Sequence, residues 1–354
     1  MKNLDRESAW PIAAGLLSGA ALDRVLPDPR RGHPVALYGR TAARLEQRVY
    51  EPSRARGAAF VLLAVAPVVA GGALAQARTS GAGRAVLTGA ATWAVVGGAM
   101  LAREAEGVAD ALEAGDVPGA RRRLPGLCGR DPESLDGKGI ARATAESVAE
   151  NTADAVVAPL LWGGLLGVPG LVGYRAANTL DAMVGHPSAR YERFGWAAAR
   201  LDDVANWAPA RLTAALACAA APVVGGSPSR ALRVRVRDGA RHPSPNAGHC
   251  EAAFAGALDV RLGGRNVYGS RGEDRPELGE GPHPGVVDIR RAVRLARVVN
   301  AAAAGVAAAV ALAVGRSRTV GGAAPAGTPR SAPRGRCAGA AVRALAGPRA
   351  GRVS

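Results

Sequence analysis

Lysine is almost missing from the 354 residues: Lys2 and Lys138 stand against 43 arginines. With 47 glycines and abundant alanine, this is the pattern of GC-rich coding, so no single arginine argues for phosphate binding by its type alone. Cysteine is scarce too. Cys128, Cys218, Cys250 and Cys337 lie far apart, without a Cys-x-x-Cys pair or zinc-ligand spacing, which argues against a disulfide framework or a structural zinc and suits a reducing, cytoplasm-facing protein. Gly137-Lys138 is followed by Gly139 and lacks the upstream glycine of a phosphate-binding loop, and neither a strand-linked Gly-x-Gly-x-x-Gly nor a Gly-x-Ser-x-Gly elbow occurs. Four of the five histidines, His33, His186, His242 and His283, precede proline, which takes them out of helix interiors and disfavours a helical histidine metal pair. Acid is missing from residues 316–354, where eight arginines account for half of the formal charge of +16. The body is only mildly basic, so the charge does not point to a nucleic-acid partner.

What the sequence has is apolar length. Uncharged runs occupy 59–77, 85–102, 155–173 and 298–314, each near the length of a bilayer-spanning helix. A fifth, 212–226, is short for a span and Ala9 to Leu22 is shorter still, so either could be re-entrant or half-buried. The competing reading is a soluble protein with alanine-rich buried helices, but several such runs in one chain favour the membrane. The expected fold is all-α: a multi-pass helical membrane protein with about 4–5 spans, a membrane-embedded domain over 1–315, and a low-complexity Gly/Ala/Pro/Arg tail over 316–354. Basic residues concentrate in 23–58, 103–154 and 227–297, which places these segments on the cytoplasmic side. Simple alternation of spans would then put 174–211 outside, away from the others. A turn-back within 155–173 or 212–226, both interrupted by proline, restores one shared face and is the preferred arrangement.

Polar residues gather between the apolar runs. In AESVAENTAD, Glu146, Glu150 and Asp154 fall at i, i+4 and i+8, so a helix lines three carboxylates along one face, able to hold a cation or simply to meet solvent. In residues 174–211, helical spacing groups Arg175, Asn178 and Asp181, then Arg200 with Asp203 and Asp202 with Asn206. Interleaved acids and arginines suit a metal-bound phosphoester, the acids taking the cation and Arg forking phosphate oxygens; mutual ion pairing is the structural alternative. The stretch ARHPSPNAGHCEAAFAGALDVRLGGRNVYG, 240–269, uses two prolines to hold His242 and Ser244 in an extended or turned loop suited to presenting polar groups.

These segments resemble the adenosylcobinamide-phosphate synthase family of cobalamin biosynthesis (CobD/CbiB). The resemblance rests on LDRVLPDPRRGHPVALYGR (22–40), ATAESVAENTADAVVAPLLW (143–162), YRAANTLDAMVGH with RYERFGWAAARLDDVANWAPARLTA (174–214) and RHPSPNAGHCEAAFAGALDVRLGGRNVYG (241–269). It covers most of 10–314 and leaves out the tail; departures lie in 78–130, at 185–190 and at His249-Cys250. It implies ATP-dependent amide formation between a propionate of adenosylcobyric acid and the amine of aminopropanol phosphate or ethanolamine phosphate, through an activated acyl phosphate. On that resemblance Asp202 and Asp203, with Asp181, are assigned to Mg²⁺, and Arg175, Asn178 and Arg200 to phosphate. Arg241, His242, Ser244 and Asn246 are assigned to orienting the aminoalcohol phosphate or the corrin amides, and Glu146 and Glu150 to the ammonium nucleophile. The implied partners are these substrates, the lipid bilayer and other corrin-pathway enzymes, with the active site of an inner-membrane protein facing the cytoplasm. The alternatives are a membrane scaffold or transporter of the same pathway, and a prenyl-type transferase suggested by LDDVAN at 201–206.

Overall fold

The structure, a computed structural model, describes residues 9–26, 32–186, 188–268 and 271–321. Two helices open the chain, α1 (Trp10–Val25) and α2 (Pro34–Val49), each with a proline in its first turn, where the missing N–H forfeits no helical hydrogen bond. α3 (Arg54–Ala77) has 24 residues, enough to cross a bilayer at about 1.5 Å per residue. α4 (Gly81–Val95) and α5 (Gly98–Glu113) continue one another across Val96-Gly97. After the short α6 (Val117–Arg123), α7 (Gly137–Thr152) passes through a π turn, Ala153–Val157, into α8 (Ala158–Leu166). α9 (Val168–Leu180) ends in a second π turn, Asp181–Gly185. Then come α10 (Trp196–Ala205), α11 (Trp207–Ala220), α12 (Pro228–Asp238) and α13 (Ala247–Leu258), an antiparallel hairpin of β1 (Leu262–Tyr268) and β2 (Arg271–Leu278), and α14 (Val286–Gly321). The hairpin and α13 lie where the sequence suggested a rigid loop.

The protein is a predominantly helical, multi-pass membrane protein. Four described stretches are long and apolar enough to cross a membrane: Arg54–Ala77, Gly81–Glu113, Trp207–Val224 and Val286–Ser317. The apolar run 155–173 instead breaks at Gly167, whose φ of +75° glycine adopts at little cost, and α8 and α9 fold back on each other as a helical hairpin. At that reversal the Gln76 Oε1 atom, near the end of α3, accepts the Val168 N–H at 2.8 Å, supplying a partner for one orphan donor of the new helix. Trp207–Val224 has the length of a span, yet both its ends meet polar groups. Asn206 bonds Tyr174 and Asp202, and the Val224 carbonyl accepts from the Arg291 Nε and Nη2 atoms at 3.2 and 2.9 Å. The α8–α9 hairpin returns the chain to the end it left, so Asp154 and Asp181 lie together.

α14 organises the packing, touching α1, α5, α7, α8 and α11. Small residues let the helices approach closely, as in membrane bundles generally. On α1, a Cβ at Gly15 would stand 2.5 Å from the Thr88 Cβ, and one at Gly19 2.5 Å from the Gly89 carbonyl oxygen of α4. α1 runs along the whole apolar stretch of α14: Ala9 abuts Gly315 at one end, and Asp23 and Asn300 flank Gly98 at the other. α14 continues as helix through Gly321, while 322–354 of the expected tail, 27–31 of the 22–40 motif and Pro187 of the 185–190 region lie outside the described residues.

A Cβ on Gly164 of α8 would come 2.6 Å from the Ala307 carbonyl oxygen of α14. Substitution Gly164→Leu is expected to cost about 1–3 kcal/mol and to lower the thermal midpoint of the detergent-solubilised protein. An unchanged midpoint would mean that these two helices do not pack this closely.

Candidate functional site

The two π turns carry acids that the site needs. A π turn adds a residue to the helix and so rotates the following face by about 100°, and such bulges recur at functional sites. Asp154 sits in the turn after α7 and Asp181 in the turn after α9. Both stand at the mouth of the α8–α9 hairpin, and α10 lays Asp202 and Asp203 against them. The Asp202 carboxylate accepts from the Asn178 amide at 3.2 Å and from the Asn206 amide at 2.9 Å. Asn206 in turn accepts from the Tyr174 hydroxyl at 2.8 Å. Arg175 reaches Asn178 at 3.5 Å, and Arg200, largely exposed, pairs with Asp203 at 3.1 Å. The helical groupings expected over 174–211 are thus present in space.

Negative charge is in surplus here. Burial, then the charges of Asp202, Asp203 and Glu150, push the Asp181 carboxyl from its ordinary 3.8 up to about 7. Burial is also the largest cause raising Asp154, followed by Asp202, Glu150 and Asp181, with Arg175 acting in opposition. Asp202 is raised by burial, against the hydrogen bonds from Asn178 and Asn206 that favour its charged form. A cation would relieve this mutual repulsion. Among the described residues, however, no group of three or more His, Cys, Asp or Glu side chains is arranged to hold a metal ion unaided.

A second network lies beside the first. Glu146 is buried; it forms an ion pair with Arg130, also buried, and accepts the Gly263 N–H of the β hairpin at 2.6 Å. Arg142 donates to the Gly263 carbonyl and, at 2.7 Å, to that of Arg265, so α7 grips β1 from both sides. Buried His242 stands 3.8 Å from Glu251 and 3.3 Å from Arg275. Burial and the neighbouring Glu146 and Glu150 raise the Glu251 carboxyl, with Arg275 and Arg130 pulling the other way. Glu150 is the electrostatic link, its charge acting on Asp154, Asp181, Asp202 and Glu251 alike.

The remaining candidates divide. Asn246 joins the acidic site: its amide donates to the Asp203 carbonyl at 2.8 Å and its oxygen accepts from Arg211 at 3.1 Å. Ser244 accepts the N–H groups of Asn246 and Ala247 at 3.3 and 3.1 Å, so its hydroxyl caps the start of α13. Arg241 pairs with Asp238 at 3.3 Å. Glu146 belongs to the Arg130 network, and Glu150 lies between it and Asp154. Sequence reading passed over Tyr174, Asn206, Arg211, Arg130, Glu251 and Arg275 as site residues. For Asn206 the signal was present, since it follows Asp202 by four residues; for Arg130 and Glu251 no local spacing could have given it.

The Asp181 shift fixes a pH dependence. A carboxyl raised in the folded state contributes stability below its unfolded value, and that contribution is lost as pH rises through the folded one. In metal-free buffer the thermal midpoint should therefore decline between pH about 4 and about 7. Asp181→Asn should flatten part of that decline, and an identical slope in the variant would refute the shift.

Residues 16–296 match the family described as CobD/Cbib protein. The cobalamin biosynthesis protein CobD of Mycobacterium tuberculosis is 57% identical over 298 residues, covering 84% of this chain and 95% of that protein. Proteins of the same description from Rhodobacter capsulatus and Geobacter metallireducens are each 43% identical, over 296 and 276 residues, covering 81% and 75% of this chain and 93% and 86% of theirs. No solved structure matches the chain. A family match across most of the sequence, with these long and close alignments, means that the chain belongs to the CobD/CbiB family.

Proposed function

We propose that this chain works in cobalamin biosynthesis as an inner-membrane adenosylcobinamide-phosphate synthase. It joins a propionate of adenosylcobyric acid to the amine of aminopropanol phosphate or ethanolamine phosphate in an ATP-dependent amide synthesis. Family membership supports the pathway. The observation that carries the chemistry is the convergence of Asp154, Asp181, Asp202 and Asp203 with Arg175, Asn178 and Asn206 at one polar face. Amide formation must expel a carboxylate oxygen, a poor leaving group, and transfer of a phosphoryl group from ATP turns that oxygen into part of a phosphate. The amine nitrogen then attacks the carbonyl carbon, phosphate leaves, and a proton is lost from nitrogen.

Hard carboxylate oxygens with surplus negative charge suit Mg²⁺, which commonly takes one or two carboxylates and completes its shell with phosphate oxygens and water. Asp181, Asp202 and Asp203 are the residues that would hold it, and the ion would supply neutralisation of phosphate charge. Asn178 and Asn206 fix the Asp202 carboxylate in place. Arg175 offers a guanidinium to phosphate oxygens from the same site. Glu150, set between the acidic site and the Glu251 network, is positioned to draw in an ammonium group and take its proton. The basic segments 23–58, 103–154 and 227–297 support a cytoplasmic orientation of this face, where ATP and the substrates are met.

The reaction is tested by incubating membranes containing the protein with adenosylcobyric acid, ATP, Mg²⁺ and each aminoalcohol phosphate, and reading products by mass spectrometry with each component omitted in turn. Product of adenosylcobinamide-phosphate mass, dependent on the chain and on ATP, is expected; its absence from well-folded protein would favour a scaffold or transporter. Asp202→Asn should abolish turnover at an unchanged level of membrane protein. Asn206→Ala, which loosens Asp202, should lower turnover about 10–100-fold.

A further inference from the structure

Away from the acidic site, α1, α5 and α14 enclose a cavity of about 710 Å³. Three apolar runs change character at its edge. The run over 9–22 gives way to Asp23-Arg24, the run over 85–102 to Arg103, and the run over 298–314 is preceded by Arg297. All three arginines line the cavity, and so do Leu17, Ala20, Ala301 and Ala304 from the apolar runs themselves. The cavity therefore has a cationic rim and an apolar wall, placed where hydrocarbon meets the headgroup layer.

The rim is neutralised only in part. Arg24 donates to the Arg297 carbonyl at 3.1 Å, and Arg297 pairs with Glu106 at 2.9 Å. Arg103, exposed, makes no hydrogen bond or ion pair among the described residues. Asp23 is buried, and its Oδ2 atom accepts the Ala99 N–H at 3.0 Å at the start of α5, so part of its charge is spent on a helix end. A cationic rim above an apolar wall suits a ligand with a phosphate and a hydrocarbon chain.

We propose that this cavity binds a membrane phospholipid. Its phosphate lies among Arg24, Arg103 and Arg297, and an acyl chain covers the wall formed by Leu17, Ala20 and Ala301. A free phosphate ester would satisfy the arginines equally well but would leave the apolar wall uncovered. The acyl chain is what makes a lipid the better occupant.

The test uses the full-length protein in mild detergent, titrated with short-chain phosphatidylglycerol and, separately, with O-phosphoethanolamine and inorganic phosphate, with the thermal midpoint as readout. Lipid extracted from the purified protein is quantified in parallel by mass spectrometry. Wild type should be stabilised by the lipid, and Arg103→Ala should weaken lipid binding roughly fivefold. Ala301→Phe, which fills the wall, should reduce both the shift and the co-purified lipid. Asp202→Asn should bind lipid like wild type, which separates this site from the proposed reaction. Lipid stabilisation untouched by Arg103→Ala, or no stabilisation at all, overturns the proposal. An Arg103-dependent shift with O-phosphoethanolamine or phosphate but not with lipid also overturns it and assigns the cavity to a soluble phosphate ester.

Discussion

The reversal at Gly167 is the constraint on which the rest of the architecture depends. A backbone that enters an apolar layer and turns inside it must find partners for its freed N–H and C=O groups. Here the turn is made by a glycine at positive φ, and the first donor of α9 is taken by a side chain from the end of α3. Because α8 and α9 return to the face they left, Asp154 and Asp181, one at each end of the hairpin, stand close enough to feel each other's charge. Had the run crossed, these acids would lie on opposite sides of the bilayer.

Charge of one sign in a partly buried site is costly, and the molecule offsets it unevenly. Asp202 receives two amide hydrogen bonds, and Asp203 an arginine. Glu146 is matched by a buried arginine and a backbone N–H, so it serves to hold the hairpin against α7. Asp181 and Asp154 receive less, and their carboxyls are driven upward by burial and by their neighbours. Groups left in that condition in a polar recess are candidates for binding positive charge, whereas the fully matched ones are candidates for structure.

Much of this was legible from spacing. Helical intervals of three and four residues anticipated Arg175 with Asn178, Arg200 with Asp203 and Asp202 with Asn206, because each pair lies within one uninterrupted helix or spans the junction of two. The apolar runs announced α3, the α4–α5 rod and α14, and proline and glycine within 155–173 marked the reversal. For Glu146, Glu150 and Asp154 the spacing gave the series but not the buried Arg130 that holds Glu146. A π turn conserves sequence order while shifting the face, and no pattern of hydrophobicity shows where one will form. The β hairpin escaped notice because its docking rests on main-chain atoms of Gly263 and Arg265, gripped by Arg142 and Glu146 from more than a hundred residues away. The run 212–226 is short for a span, whereas the helical stretch Trp207–Val224 that covers most of it begins five residues earlier and is long enough to cross.

α14 joins the layers of the molecule. It packs on α1, α5, α7, α8 and α11 in one continuous helix of 36 residues, apolar over 298–314 and basic before it. The membrane portion and the polar portion therefore share a core and cannot be separated into an anchor and a detachable domain. Since this helix follows all the other described elements in chain order, the core they share closes only once α14 has been made. Until then α1, α5, α7, α8 and α11 must wait, inserted or at the surface, for a shared partner to be made.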